Sequence, residues 1–141
     1  MTMPNTSPTG PMNLFDVARR GLSAQMVRMN AAASNLTNAG SVAGSEAEAY
    51  HPIRPVFAQA LDRATGLSSV EVKGIYRERG AAIREHQPDH PLADANGDVW
   101  TAPVDENAEM VEMLDASRQY QNLVEALSTA KQLMLETLRI R

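Results

Sequence analysis

Two stretches of the chain carry apolar residues at helical spacing, and the segment between them does not. In the first, Phe15, Ala18, Leu22, Gln25, Met29, Ala32 and Leu36 alternate at intervals of three and four, one seam of a helix at coiled-coil spacing. A stripe of small residues, Val17, Ala24 and Ala31, flanks that seam and permits close approach of another backbone. Asn13 is placed to cap the helix, and Asp16 falls in the first turn, where the helix dipole favours an anion. Asn38 and Gly40 supply a stop. The pattern predicts a helix over residues 14–38, about 37 Å long at the usual helical rise. Gly21 lies inside it, at a cost of about 1 kcal/mol relative to Ala.

The second stretch begins after Asp105 or Asn107, either of which can cap, with Glu106 and Glu109 favouring a helix start. Met110, Met113, Ser117, Tyr120, Val124, Leu127, Lys131, Met134 and Leu138 again alternate at three and four. A second line of Leu123, Ala126, Ala130 and Leu133 runs beside them, and Arg139 and Arg141 suit the negative helix end. This helix should extend roughly 48 Å.

The middle follows other rules. Residues 39–49 have no periodicity and predict a loop, and Pro52 and Pro55 mark an extended or edge segment. Residues 57–64 suggest a short helix. Residues 69–77 alternate polar and apolar through Val70, Val72 and Ile75, which predicts a half-buried strand. Asn96-Gly97, followed by Val99 and Trp100, is a hairpin signal. The expectation is a mainly α fold: long N- and C-terminal helices packed as a coiled-coil-like pair, with a small β-rich middle module. The boundaries expected are a flexible N-terminal tail over 1–12, the N-terminal helix of the core over 13–40, the middle module over 41–104, and the C-terminal helix over 105–141. Met12 is a possible natural start. Two helices that outreach so small a middle must pack on each other and on other chains.

Composition narrows the function. Aromatic residues make up only 4% of the chain, so a core must rely on Leu, Met, Val and Ala, and base-stacking platforms are scarce. Thirteen basic against seventeen acidic residues leave a net charge of −4, which argues against nucleic acid or anionic lipid as a partner. The absence of Cys excludes disulfides, thiolate nucleophiles and Cys-ligated metals. No apolar run is long enough for direct membrane insertion, and residues 1–11 lack the features of a secretory signal.

Candidate chemistry is sparse. His86 and His90 have a helical metal-ligand spacing, but Pro88 and Pro91 forbid a regular helix there and no third ligand is placed. Asp94, Asn96 and Asp98 imitate the start of a calcium loop, yet its sixth and twelfth positions hold Val99 and Asp105 instead of Gly and Glu, so a turn is the better reading. Ser23, Ser34, His51 and Asp62 have no catalytic motif around them, and Gly66, Gly74, Gly80 and Gly97 are too dispersed for a phosphate loop. Arg77, Arg79 and Arg84 read as a solvated basic face. The expectations are no enzyme activity, no cofactor, no metal and no small-molecule substrate.

Three segments together resemble the axial proteins of the bacterial flagellum, its rod and hook family, and in particular the proximal rod. In GLSAQMVRMNAAASNLTN, residues 21–38, the matching positions are Leu22, Ala24, Gln25, Arg28, Asn30, Asn35, Leu36 and Asn38. HPLADANGDV, residues 90–99, is similar to a segment preceding the family's final helix. In that helix Glu109-Met110-Val111, Met113, Ala116-Ser117-Arg118, Tyr120-Gln121, Val124-Glu125, Lys131, Met134-Leu135 and Leu138 match. Leu123 stands where the family usually has Asn, Val104-Asp105-Glu106 replaces a more apolar approach, the chain ends Ile140-Arg141, and the N-terminal tail has no counterpart.

The resemblance implies a structural subunit of the rod, in the periplasmic part of the basal body. It implies polymerisation through the terminal helices into a torque-transmitting shaft around an export channel. The implied partners are copies of the chain, other rod proteins and the flagellar type III export apparatus, which reads no cleaved signal. Residues expected at the assembly interface are Phe15, Leu22, Gln25, Arg28, Met29, Asn35, Leu36, Asn38, Met110, Met113, Arg118, Tyr120, Val124, Leu127, Lys131, Met134 and Leu138. The alternative expectation is a soluble helical adaptor or export chaperone of a secretion system.

Overall fold

The computed structural model describes residues 13–140, so the expected tail and the possible start at Met12, like Arg141, lie outside the described residues. Helix α1 spans Leu14–Asn38. Its start is a capping box: the Asn13 side chain accepts from the Asp16 N–H at 3.0 Å, and the Asp16 carboxylate accepts from the Asn13 N–H at 3.1 Å. It stops at Asn38, after which Gly40 takes a positive φ of 72° and turns the chain away. Helix α2, Glu106–Arg139, is capped by the Asp105 carboxylate, which accepts from the N–H groups of Asn107 and Ala108. The two helices pack against each other.

Five strands lie between them: β1 (Val42–Ala43), β2 (Ile53–Leu61), β3 (Ser68–Arg77), β4 (Ile83–His86) and β5 (Asp98–Thr101). β2 and β3 form a two-stranded antiparallel hairpin, whose register shifts between Val56 and Phe57. The others form a second antiparallel sheet in the order β1-β5-β4. A short 3₁₀ turn at Glu46–Glu48 interrupts what the sequence suggested was plain loop. β1 follows α1 closely and β5 precedes α2, so their pairing, Val42 opposite Thr101, draws the inner ends of both helices together.

The expected fold class is therefore corrected. Strand takes up 23% of the described residues and helix 48%, so the chain combines helix and sheet and is not mainly α. The largest single departure is at residues 57–64, where the expected short helix is the second half of β2 and its turn. Phe57-Ala58-Gln59-Ala60-Leu61 has ordinary helical propensity, but pairing with Ser68–Arg77 satisfies its backbone groups and overrides that local preference. Asn96-Gly97 is not a two-residue hairpin turn. It closes the connection between β4 and β5, in which His86 pairs with Asp98.

Candidate assembly interface

One line of buried and half-buried residues follows each helix of the α1–α2 pair. On α1 it runs through Val17, Gly21, Ala24, Arg28, Ala31 and Asn35; on α2 through Glu109, Met113, Ala116, Tyr120, Leu123, Leu127 and Ala130. Asn35 meets Glu109 at one end, with Asn35 Nδ2 donating to Glu109 Oε2 at 3.0 Å. Arg28 meets Glu112 at 2.7 Å and Asp115 at 3.0 Å, and also donates to Gln25 Oε1 at 2.9 Å. The Glu112 bond, with that to Asp115, raises the guanidinium pKa further above its ordinary value. At Gly21 a Cβ would sit 3.1 Å from Leu123 Cδ1, so the missing side chain is what lets Leu123 close over α1. The small-residue stripe thus faces the chain's own second helix.

The larger side chains of both helices are left facing outward. On α1, Leu14, Phe15 and Met26 are exposed; Leu22, Met29, Leu36, Gln25 and Asn38 are half-buried. Asn38 turns its amide back onto the Ser34 carbonyl at 2.8 Å. On α2, Met110, Val124, Met134 and Leu138 are exposed, as are Arg118 and Lys131, while Met113, Tyr120 and Leu127 are half-buried against the chain. Asn35 is enclosed by its own chain. The structure therefore divides the expected interface residues into an inward group and an outward group.

Because Asn35 meets Glu109 and Gly21 meets Leu123, the same antiparallel step brings Leu14 opposite Ala130. α2 then continues from Lys131 to Arg139 with no α1 beside it, an overhang of about 13 Å. Every residue from Lys131 to Ile140 is exposed, including Leu133, Met134, Leu135, Leu138 and Ile140. Where the overhang begins, α1, α2 and the hairpin border an open apolar groove of about 620 Å³, lined among others by Leu14, Val17, Phe57, Val70 and Leu127.

Sequence reasoning missed several of these positions. Leu133 was read, but Val111, Leu114 and Leu135, all more than half exposed, were not singled out as outward residues. The sequence marks Glu109 as a favourable first-turn charge and as a position that resembles the family, and neither shows that it is 1% exposed. The heptad spacing from Glu109 to Ala130 was available in the sequence; the identity of its buried partner was not. In the middle, Asp98 is buried and accepts from Arg84 Nε at 2.7 Å and His86 Nδ1 at 2.9 Å. The His86 and Arg84 bonds hold its carboxyl below the usual carboxylate range. Asp94 Oδ1 accepts from the N–H groups of Asn96 and Asp98, as a turn residue does. Among the described residues no group of three or more His, Cys, Asp or Glu could hold a metal ion, and no described helix is long and apolar enough to cross a membrane.

Two helices with large apolar side chains turned outward, around a middle of two small sheets, match known proteins along nearly the whole chain. The flagellar basal-body rod protein FlgC of Salmonella typhimurium is 41% identical over 131 residues, covering 92% of this chain and 96% of the relative. The chain belongs to the FlgC family of flagellar rod proteins. FlgC of Yersinia enterocolitica is 42% identical over 129 residues with the same coverage, and FlgC of Agrobacterium fabrum is 30% identical over 123 residues, 86% of this chain and 88% of that one. Residues 95–140 match the family described as flagellar basal body rod FlgEFG protein C-terminal. That segment takes in β5, the Asp105 cap and all of α2, including the overhang.

Proposed function

We propose that the outward rows of α1 and α2 are the surfaces through which this chain, a structural subunit of the flagellar basal-body rod, joins copies of itself and other rod components. The observation that carries the proposal is the overhang: five large apolar residues between Leu133 and Ile140 are 54% to 87% exposed, with no part of the described chain beside them. A contiguous exposed apolar row of this kind marks a surface at which a partner docks. An open heterologous contact, repeated from subunit to subunit, builds a helical shaft and not a closed ring.

On this proposal residues 13–40 and 105–141 form the axial core domain and residues 41–104 an outer module. Phe15, Leu22, Met29, Leu36, Met110, Val124, Met134 and Leu138 contact neighbouring subunits. Arg28, Asn35, Met113, Tyr120 and Leu127 support those contacts from inside, while Gln25, Asn38, Arg118 and Lys131 border them. The finished assembly carries torque, since close-packed interiors resist compression, and encloses the export channel. The subunit reaches the periplasm through the flagellar type III export apparatus, and it catalyses no reaction.

Locating the tagged protein in purified basal bodies tests the proposal. It should co-purify with the rod, and its α2 density should lie against a neighbouring subunit. A discrete soluble oligomer absent from basal bodies would instead support an adaptor or chaperone.

A further inference from the structure

The β2–β3 hairpin belongs to a different sheet from β1, β4 and β5, so no ladder of backbone hydrogen bonds fixes how it sits on the helix pair. Two buried side chains join it instead. Asn35 Oδ1 accepts from the Ile53 N–H at 2.8 Å and from the Tyr50 hydroxyl at 2.8 Å. Asn35 Nδ2 donates to the Ile53 carbonyl at 3.1 Å and to Glu109 at 3.0 Å. The amide thereby uses both donors and both lone pairs, and it grips the first residue of β2 by both backbone groups. The next residue, Arg54, reaches Glu109 with one guanidinium nitrogen and Glu78, just beyond β3, with another at 2.7 Å. α1, α2, β2 and the residue that follows β3 are therefore joined through Asn35, Arg54 and Glu109, of which Asn35 and Glu109 are 0% and 1% exposed.

Toward its tip the hairpin lies against α1 through one side-chain hydrogen bond and apolar packing. There Arg20 donates to Ser69 Oγ at 3.3 Å, and the apolar groove lies beside that contact. Apolar packing is non-directional, whereas a saturated hydrogen-bond set defines an angle. We infer that Asn35 and Arg54 are positioning residues: with Glu109 they form a joint that sets the angle at which the hairpin projects from the helix pair. The joint thereby places Val56, Ile75 and Tyr76, all exposed on the hairpin, relative to the outward rows of the helices. Why that angle matters rests on the assembly proposal; the joint itself does not.

The chain has no Cys, so paired spin labels can be introduced without removing native thiols. Labels on Ser23→Cys and Thr65→Cys, both at exposed positions, report the hairpin angle in the full chain, and labels on Ser23→Cys and Gln119→Cys report the helix pair. In the parent chain each pair should give one narrow distance. Arg54→Gln and Asn35→Leu should each lose the single narrow hairpin distance while the helix-pair distance stays narrow. The inference is overturned if both variants keep the narrow hairpin distance, or if both distances broaden together, because the network would then hold the whole fold and not the angle. If Asn35→Leu does not fold, Arg54→Gln decides, since Arg54 is partly exposed. All readings are made on the isolated chain, so failure of the joint is distinguishable from failure to find the protein in basal bodies.

Discussion

Truncating the overhang should separate the chain's own stability from its capacity to assemble. Met134 is 55% exposed and Leu138 70%, so each retains most of its apolar surface for a partner. Full burial of such a side chain is worth about 1.5–3 kcal/mol. Scaled to the surface still open, Met134→Ala with Leu138→Ala should weaken each subunit contact by about 2.5 kcal/mol, on the order of 50-fold in association. A cavity left in the interface would add to this. In the isolated chain the same changes fall at open helix positions, where substitutions stay within about 0.5 kcal/mol. Denaturant unfolding of the purified chain should therefore show an unchanged midpoint, while cells carrying the double variant lose swimming and yield few complete basal bodies. Leu127→Ala is the contrast, because Leu127 is half-buried within the chain and should lower the midpoint as well. Normal rod assembly in the double variant, or a large fall in the isolated chain's stability, would refute the division into inward and outward residues.

Three other outcomes follow from the geometry. Gly21→Val should destabilise the α1–α2 pair by about 1–3 kcal/mol in thermal unfolding, because a Cβ already sits 3.1 Å from Leu123 and the β-branch overfills the contact. Gly97→Ala should cost about 1–3 kcal/mol in the same measurement, since its φ of 77° is unfavourable for Ala and the new Cβ would approach His86 and Pro88 at 3.0 Å. The Asp98 carboxyl titrates below its ordinary value when folded, so its stabilising effect is present above the unfolded pKa and is lost as pH falls through the lower folded value. Acid unfolding of Asp98→Asn should lack that part of the pH dependence, and an unchanged acid profile would show that the His86 and Arg84 bonds do not contribute.

Both helices were legible because their ends are local chemistry. Asn13 with Asp16, Asn38 with Gly40, and Asp105 each act within a few residues, and each acts where the sequence placed it. The strand at residues 69–77 was legible from its alternation and extends from Ser68 to Arg77. Residues 57–61 were not, because their partner strand lies beyond a turn and decides their conformation against local propensity. Which helical seam faces inward was equally hidden. Periodicity shows that Phe15–Leu22–Met29 and Val17–Ala24–Ala31 are both lines along α1, but only Gly21 beneath Leu123 chooses between them. At the joint Asn35 meets Ile53 and Glu109, 18 and 74 positions away along the chain, and no local pattern marks such a meeting.

The buried apolar residues of the described chain are Ala24, Ala31, Ala32, Ala49, Ala102, Ala116 and two larger ones, Val99 and Pro52. Small buried side chains each remove little apolar surface from water, so the isolated fold rests on many partly buried contacts and a modest margin of stability. In the proposed rod, neighbours cover the exposed leucine and methionine surface, and binding to the folded form adds to its stability by mass action. A subunit seated in the rod then resists unfolding better than the same subunit alone.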